Sequence, residues 1–556
     1  MSETSPSLPK KPDASAEPRR RRGRLFPSLG VSVPAVILIG IAIAFLLLPS
    51  GVGPTDRSIV NITAVVLAFA AFCVLAVWFT FGSGYTLAQR LMGWIGVIVI
   101  VTTLRMAVRI DGVSGWMMPK LSWRWTVPPD QRLAVPQPVS DKVAATASRI
   151  TETTDNDFPQ FLGKNRDVKV EGVLLERSWQ TRKPKELWRQ PIGAGWSGFT
   201  VVNGVAVTME QRGDEELVTC YDALTGELLW FHATDARHST ALGGVGPRST
   251  PTIHDGKVYA LGATGMLHCL DGATGEEVWP DIDVCEVVGV TAKDDSWNVA
   301  WGRAASPLIV DDLVVVPGGG PAGGRRYSLV AFDKNTGEKQ WAQGSKQISY
   351  SSPALATLAG VRQILIVNED TAAGHDATTG EQLWEYPWPG SSNTQANTSQ
   401  AVAVGDDGVF LSKGYGQGSA LLRLSVDADG RWSVEELWRN ERALRTKLTN
   451  VAIRDGHAYG LSDGILECVK LDSAEGESAW KRGRYQNGQI LLVGDTLLVM
   501  SETGTLALVD AVPDEYRELD QFKALDGKCW NTLCLYGPYL LVRNNEEAAC
   551  YELPLR

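Results

Sequence analysis

The 556-residue chain has eight cysteines, and no two of them form a C-x-x-C pair. That excludes a covalently attached haem and a zinc ribbon. No G-x-S-x-G elbow, P-loop or H-E-x-x-H helix occurs, so the sequence offers nothing for serine-hydrolase, nucleotide or zinc-protease chemistry. The six histidines, His232, His238, His254, His268, His375 and His457, are scattered over several repeats, and no metal ligand set is read from them. Beyond the N-terminal segment acidic residues outnumber basic ones. Residues before Asn156 carry about +7 of a formal total of -10, which leaves the remainder near about -17. An acidic body of this kind is not expected to bind nucleic acid.

What the chain has in abundance is one phrase. It reads YDALTGELLW at 221–230, LDGATGEEVW at 270–279, FDKNTGEKQW at 332–341 and HDATTGEQLW at 375–384, with looser copies at 471–480, 426–438 and 509–519. Copies about 40 to 60 residues apart have the period of a propeller blade. In each, the apolar residue and Asp end one strand, Thr-Gly reverses the chain, and Glu opens a strand that ends in Trp.

Between these hairpins a second pattern recurs: a small or amide residue, an apolar strand, a tight turn and a Val-rich strand. The turns are Asn203-Gly204, Asp255-Gly256, Asp407-Gly408, Asp455-Gly456 and Gly494-Asp495, residue pairs favoured in two-residue loops. Eight such segments begin near Ser197, Ser249, Ala305, Ser351, Thr398, Thr449, Asn487 and Asn531. The expected fold is all-β, an eight-bladed propeller of four-stranded antiparallel blades over 157–556, closed so that few strand edges remain. Cys220, Cys269 and Cys550, with Cys468 close to the same place, precede the turn on the third strand and read as buried core thiols. Residues 158–167 are a candidate closing strand.

Residues 1–30 read as a disordered basic tail. Three uncharged stretches follow, 31–48, 59–81 and the shorter 91–104 with Arg90 and Arg105 at its ends. They predict three transmembrane helices within 31–110 and an integral inner-membrane location. The basic tail would stay in the cytoplasm and the propeller would face the periplasm or exterior. Residues 111–156 read as a linker, with Trp116, Trp123 and Trp125 at interfacial depth.

The repeated D-x-x-T-G-E-x-x-W phrase resembles the tryptophan-docking motif of the pyrroloquinoline-quinone (PQQ) repeat superfamily. FPQF at 158–161, NRD at 165–167 and LDGKCW at 525–530 strengthen the likeness, which spans about 400 residues. The resemblance implies a propeller in which Trp188, Trp230, Trp279, Trp341, Trp384, Trp438 and Trp480 lock neighbouring blades together. It leaves two functions open, because the superfamily holds both quinoprotein dehydrogenases and cofactor-free scaffolds such as the lipoprotein BamB. Family dehydrogenases pair adjacent cysteines and bind calcium beside an Asp base, and this chain has no adjacent cysteines. It also lacks the acylated cysteine of a lipoprotein signal.

If the first strand of each blade is innermost, the residues just before it gather round the axis on one face. They include Arg248, Arg303, Tyr350, Asn397, Asn450, Asn487, Trp530 and Asn531, the candidate ligand-binding funnel, with Trp196, Lys447 and Lys528 nearby. Arg248 and Arg303 suit a carboxylate ligand such as PQQ, or else pair with Asp294 or Asp295 of the long insertion at 281–303. The favoured reading is a non-catalytic protein-binding scaffold anchored in the membrane. The alternatives are a PQQ-dependent alcohol or sugar dehydrogenase and a carbohydrate or small-anion binding module. No catalytic residue is assigned, and PQQ with calcium is not the favoured cofactor.

Overall fold

The structure is a computed structural model that describes residues 26–27, 29–47, 57–136 and 149–556. Most of the basic tail expected at 1–30 and the middle of the expected linker lie outside the described residues. The chain divides into two compact units, one of N-terminal helices and one that includes Val108–Arg556.

The helices run Leu29–Leu47, Arg57–Val77 and Leu87–Ala107, the second continuing through a π-turn at Trp78–Gly82. Val60–Gly82 and Leu87–Ala107 are long and apolar enough to cross a membrane, and Val31–Ile43 is a shorter apolar helix. Arg90 donates to the carbonyl of Thr80 at 2.8 Å and to that of Ser83. This guanidinium therefore closes carbonyls left open at the end of the preceding helix.

Eight blades of four antiparallel strands make the propeller, and the seventh gains a short parallel fifth strand on its inner edge. Blades 1 to 7 occupy 200–235, 252–283, 308–343, 354–387, 402–440, 452–484 and 489–523. Blade 8 takes three strands from 534–552 and its outermost strand, Lys185–Pro191, from before blade 1. The ring thus closes by pairing the two ends of the repeat region, with Trp188 opposite Cys550. Residues 158–167 do not supply that strand.

They fill the axis instead. Phe158 bridges Val201 of blade 1, the Pro159 carbonyl accepts the amide of Ile253 in blade 2, and Arg166 donates to the carbonyls of Ser306 and Pro307 beside blade 3 at 2.9 Å. Gln400, leading into blade 5, bonds the Arg166 carbonyl, and Lys169–Val170 pairs parallel with the innermost strand of blade 7. Partners on the inner edges of five blades place this segment in the central channel, where it satisfies backbone groups that the ring leaves open.

The repeated phrase is explained by what its turn receives. Asp222, Asp271, Asp333 and Asp376 each accept two backbone N–H groups and the Thr hydroxyl of the turn, at 2.8 to 3.2 Å. The Gly has positive φ, and the Trp ring of the preceding blade lies directly on it. A Cβ on Gly226, Gly275, Gly337 or Gly380 would stand 2.5 to 2.9 Å from Trp188, Trp230, Trp279 or Trp341.

Each of these indoles donates to a carbonyl of the next blade: Ala223, Gly272, Lys334 and Thr378 at 2.8 to 3.3 Å. Trp438 and Trp480 reach Leu471 and Val512 in the same way. Trp384 differs and donates to Gln363 of its own blade at 2.6 Å, because blade 5 has no D-x-x-T-G-E turn to receive it. Blade 7 has Asp520 where the others have Trp. That carboxylate accepts the amide of Trp179, whose buried ring packs edge-on to Phe522.

Asn203-Gly204, Asp255-Gly256 and Asp455-Gly456 make the tight turns with both φ positive. In blade 5 the reversal is not Asp407-Gly408 but the three-residue loop 405–407, opened by Gly405 with positive φ, since Val404 already pairs with Gly408. The eight cysteines are all free, and Cys220, Cys269, Cys468 and Cys550 are buried on third strands.

The segment expected as a linker is partly folded. Val108–Val113 and Pro119–Trp123 form a hairpin, Trp123 stacks on Trp125 at 4.8 Å, and Asp130 is buried against Arg237 at 2.7 Å. At its other end Arg149 pairs with Asp222 at 2.9 Å, and Ile150 joins the core of blades 1 and 2.

Candidate functional site

The residues that precede the inner strands form a closed belt of side-chain to backbone hydrogen bonds. Gly198 N–H donates to Thr250, Thr250 N–H to Ser306 and Ser306 N–H to Ser352, each at 2.9 Å, which joins blades 1 to 4. Ser349 accepts from Asn397 N–H at 3.0 Å, and Asn450 Oδ1 accepts from Gln400 N–H at 2.8 Å, extending the belt through blade 6. Gln489 donates to the carbonyls of Leu448 and Trp530, and Asn531 donates to those of Gly195 and Ser197, which closes the ring at blade 1. Small hydroxyls and amides recur here because each must bridge two blades without displacing backbone.

This accounts for most of the candidate funnel. Asn397, Asn450 and Asn531 are buried belt members. Asn487 bonds Glu502 through its backbone N–H at 3.3 Å and its side-chain amide at 3.4 Å. Arg303 is buried in a two-pronged pair with Asp295, at 2.9 and 3.1 Å, and also donates to the Pro317 carbonyl. Tyr350 stacks on Trp301 at 5.0 Å and donates to the Ser392 carbonyl at 2.8 Å; burial pushes its phenol up.

Arg248 is the exception. Its Nη2 donates to the Gly244 carbonyl at 2.8 Å, while its buried Nε and Nη1 have no hydrogen-bond partner. Burial pushes it down to about 10, against the pull of buried Glu216.

Beside it, across Gly243 and Gly244, stands an aromatic pair, Trp196 and Trp530, with ring centroids 5.0 Å apart. Lys528 lies 3.8 Å from the Trp530 centroid and 4.6 Å from that of Trp196, an arrangement in which the ring faces attract the ammonium. Burial pushes Lys528 down to about 8. The hairpin at 108–123 reaches this group: the Val113 carbonyl accepts from Lys528 at 2.9 Å, and Gly115 N–H donates to Glu502 at 2.6 Å. Gly115 lies so close to Asn487 that a Cβ there would stand 2.1 Å from the amide.

A calcium-bound quinone fits this ring poorly. The carboxylates here are engaged, Asp295 by Arg303 and Glu502 by Asn487 and Gly115, while Glu216 holds the Ala263 amide through one oxygen. Among the described residues, no three His, Cys, Asp or Glu side chains converge at the axis.

Sequence reasoning missed one convergence elsewhere. His232 and His268, on neighbouring blades, lie with ring centroids 5.4 Å apart beside Asp281. The signal was positional: His232 follows the docking Trp230 by two residues, and His268 precedes the third-strand Cys269 by one.

Three comparisons bear on identity. A BamB of Burkholderia pseudomallei is 24% identical over 353 residues, spanning 58% of this chain and 86% of that protein. The dehydrogenase subunit of a quinone alcohol dehydrogenase from Komagataeibacter europaeus is 30% identical over 145 residues, 25% of this chain and 18% of that one. In the solved quinohemoprotein alcohol dehydrogenase of Comamonas testosteroni the fold recurs with a TM-score of 0.52 at 12% identity, over 74% of this chain and 84% of that one. The family model described as outer membrane protein assembly factor BamB matches residues 179–290 and 214–482, more than half of the chain, with the seven docking tryptophans inside the match. This PQQ-like propeller belongs to that family.

Proposed function

We propose that this chain is a membrane-anchored extracytoplasmic scaffold whose propeller binds protein partners and performs no catalysis. The observation that carries the reading is the closed belt. The polar residues a ligand funnel would need are used to fasten one blade to the next, and the channel below holds residues 158–170. Binding capacity then belongs to the loops and rim.

The insertion after blade 2 is the strongest anchor there. It folds as two short helices, Val284–Val287 and Ala292–Asn298, capped by Asp283 and Thr291. Its far side is held to the loop after blade 4, where Asn393 donates to the Trp297 carbonyl and accepts from Ala300 N–H. Trp297 itself is 74% exposed. A large aromatic presented on a fixed loop is the kind of residue that dominates an interface. The anchor would be the three apolar helices, with the N-terminus in the cytoplasm and the propeller in the periplasm. The BamB relatives support an assembly role of this class.

The test is in-membrane photo-crosslinking from position 293, exposed on the same short helix, with Trp297→Ala as the loss control. A discrete crosslinked partner, lost on substitution, is expected. Absence of any partner, together with micromolar PQQ binding that Arg248→Ala abolishes, would replace this reading with the dehydrogenase.

One observation favours a second reading. The unpartnered Nε and Nη1 of Arg248 could take a small anion, and calorimetry with a dicarboxylate would detect it.

A further inference from the structure

The seam between blades 1 and 2 carries a set of side chains that the scaffold reading does not use. We propose that His232, His268 and Asp281 form a binding site for a divalent transition-metal ion of the zinc class, stapling blade 1 to blade 2. Their donor atoms all lie within 4.8 Å of one another. Zinc holds nitrogen and oxygen ligands at about 2.0–2.2 Å, which places them about 3.4 Å apart in a tetrahedron.

The backbone is built for this convergence. Trp230 and His232 project from the same face of the outer strand Leu228–Asp235, and Trp230 is pinned on Gly272 and Gly275 of blade 2. His232 is thereby held over the third strand of blade 2, where His268 stands. In blade 2, Leu267 pairs with Ile282 and Cys269 with Trp279, so His268 faces two residues, Pro280 and Asp281. That extra residue is a bulge, a device that re-aims a side chain.

In the other six strands that carry a docking Trp, the residue next to it pairs in register: Phe231 opposite Thr219, Ala342 opposite Val330, Glu385 opposite Ala373, Arg439 opposite Ala420, Lys481 opposite Glu467, and Arg189 opposite Ala549. None of these blades has histidine in place of His268. The bulge and the second imidazole occur together at one seam.

The local chemistry suits a cation. His268 Nδ1 is 2.6 Å from Asp281 Oδ1. His232 Nε2 is buried with no hydrogen-bond partner, 3.8 Å from Asp281 and 3.9 Å from Glu277. A metal ion would take His232 Nε2, His268 Nδ1 and an Asp281 oxygen, moving the His268 ring proton to Nε2. Glu277, half exposed on the same outer strand and 3.9 Å from His232 Nε2, marks the entry side. Glu216 of blade 1 lies close enough for the charge of His268 to act on it, and its buried Oε1 has no partner, a suitable outer carboxylate for a ligating histidine. Imidazole and carboxylate together favour zinc, cobalt, nickel or copper over calcium.

The test uses the full chain in detergent, stripped with a chelator and titrated with Co²⁺, then challenged with Zn²⁺. One equivalent of Co²⁺ with visible ligand-field bands is expected, displaced by Zn²⁺. The melting temperature should rise with added Zn²⁺. His232→Ala removes a ligand from an outer strand that Trp230 still docks, and circular dichroism checks its fold. It should weaken Co²⁺ binding by about 100-fold or more, beyond the usual effect of losing an outer-shell partner. Asp281→Asn should act similarly. No Co²⁺ uptake by the folded wild-type chain would reduce the cluster to a His–Asp hydrogen bond. Uptake that His232→Ala leaves at wild-type affinity would place the metal elsewhere, and either result overturns the site.

Discussion

The ring of Trp230 lies on Gly275 of the following blade, so close that a Cβ at position 275 would stand 2.5 Å from the indole. The residue that makes the turn possible, with φ of 76°, is also the floor on which the neighbouring blade rests. Two demands fall on one glycine, and they can be separated by mutation.

Gly275→Ala meets both the left-handed backbone cost and the indole, and should destabilise the chain by about 2–4 kcal/mol. Gly430 has φ of 79° with nothing within 4 Å of its Cβ position, and Gly430→Ala should cost only the backbone part, about 1–2 kcal/mol. Urea unfolding of the two variants checks the difference. Equal losses would mean that the Trp–Gly contact contributes nothing.

Arg303 and Asp295 are buried together, and each is the other's charge partner. Arg303→Met alone strands a carboxylate in the interior and should cost about 3–5 kcal/mol. Adding Asp295→Leu removes that stranded charge and should recover most of the loss. A double-mutant cycle on melting temperature measures the coupling; simple additivity would show that the pair acts independently.

His238 gives a pH dependence with a definite sign. Burial, assisted by the charge of Arg248, pushes it down to about 4, so the folded chain keeps it neutral where the unfolded chain protonates it. Its contribution is complete above the free imidazole value near about 6.5 and is lost as pH falls towards 4. Between pH 7 and pH 5 the wild type should lose about 2 kcal/mol relative to His238→Gln. Parallel stability curves for the two proteins would refute it.

The hairpin at 108–123 is held at its tip by Gly115. Gly115→Val puts a side chain into Asn487 and should lift the tip from the aromatic pair. Amide exchange over 112–118 is then expected to rise by at least about tenfold, while blade strands stay protected. Unchanged exchange would mean that other contacts fix the hairpin.

Much of this molecule was legible in one phrase. The D-x-x-T-G-E-x-x-W spacing encodes an Asx-type turn, a positive-φ glycine and an aromatic peg, all of them local interactions within about ten residues. Eight copies of the inner-strand pattern then fixed the blade count, because a half-buried four-stranded sheet has no stable use alone and must stack into a ring. Thiols placed at one repeat position could be read as core for the same reason.

What required the tertiary structure was every relation between residues far apart in the chain. Lys185–Pro191, and not 158–167, closes the ring, since an outer strand with a docking Trp matches the gap left by a three-stranded last blade. Residues 158–170 could take the axis only after eight inner edges had converged there. Trp384 turned to Gln363 because its neighbour lacks the receiving turn, and the Asp of blade 7 drew in Trp179. The amides and hydroxyls before each inner strand looked like a ligand funnel in sequence, and ring closure turned them into a belt by bringing each opposite its neighbour's backbone. His232 and His268, 36 positions apart, became neighbours through the docking of one blade on the next, a distance that no local pattern encodes.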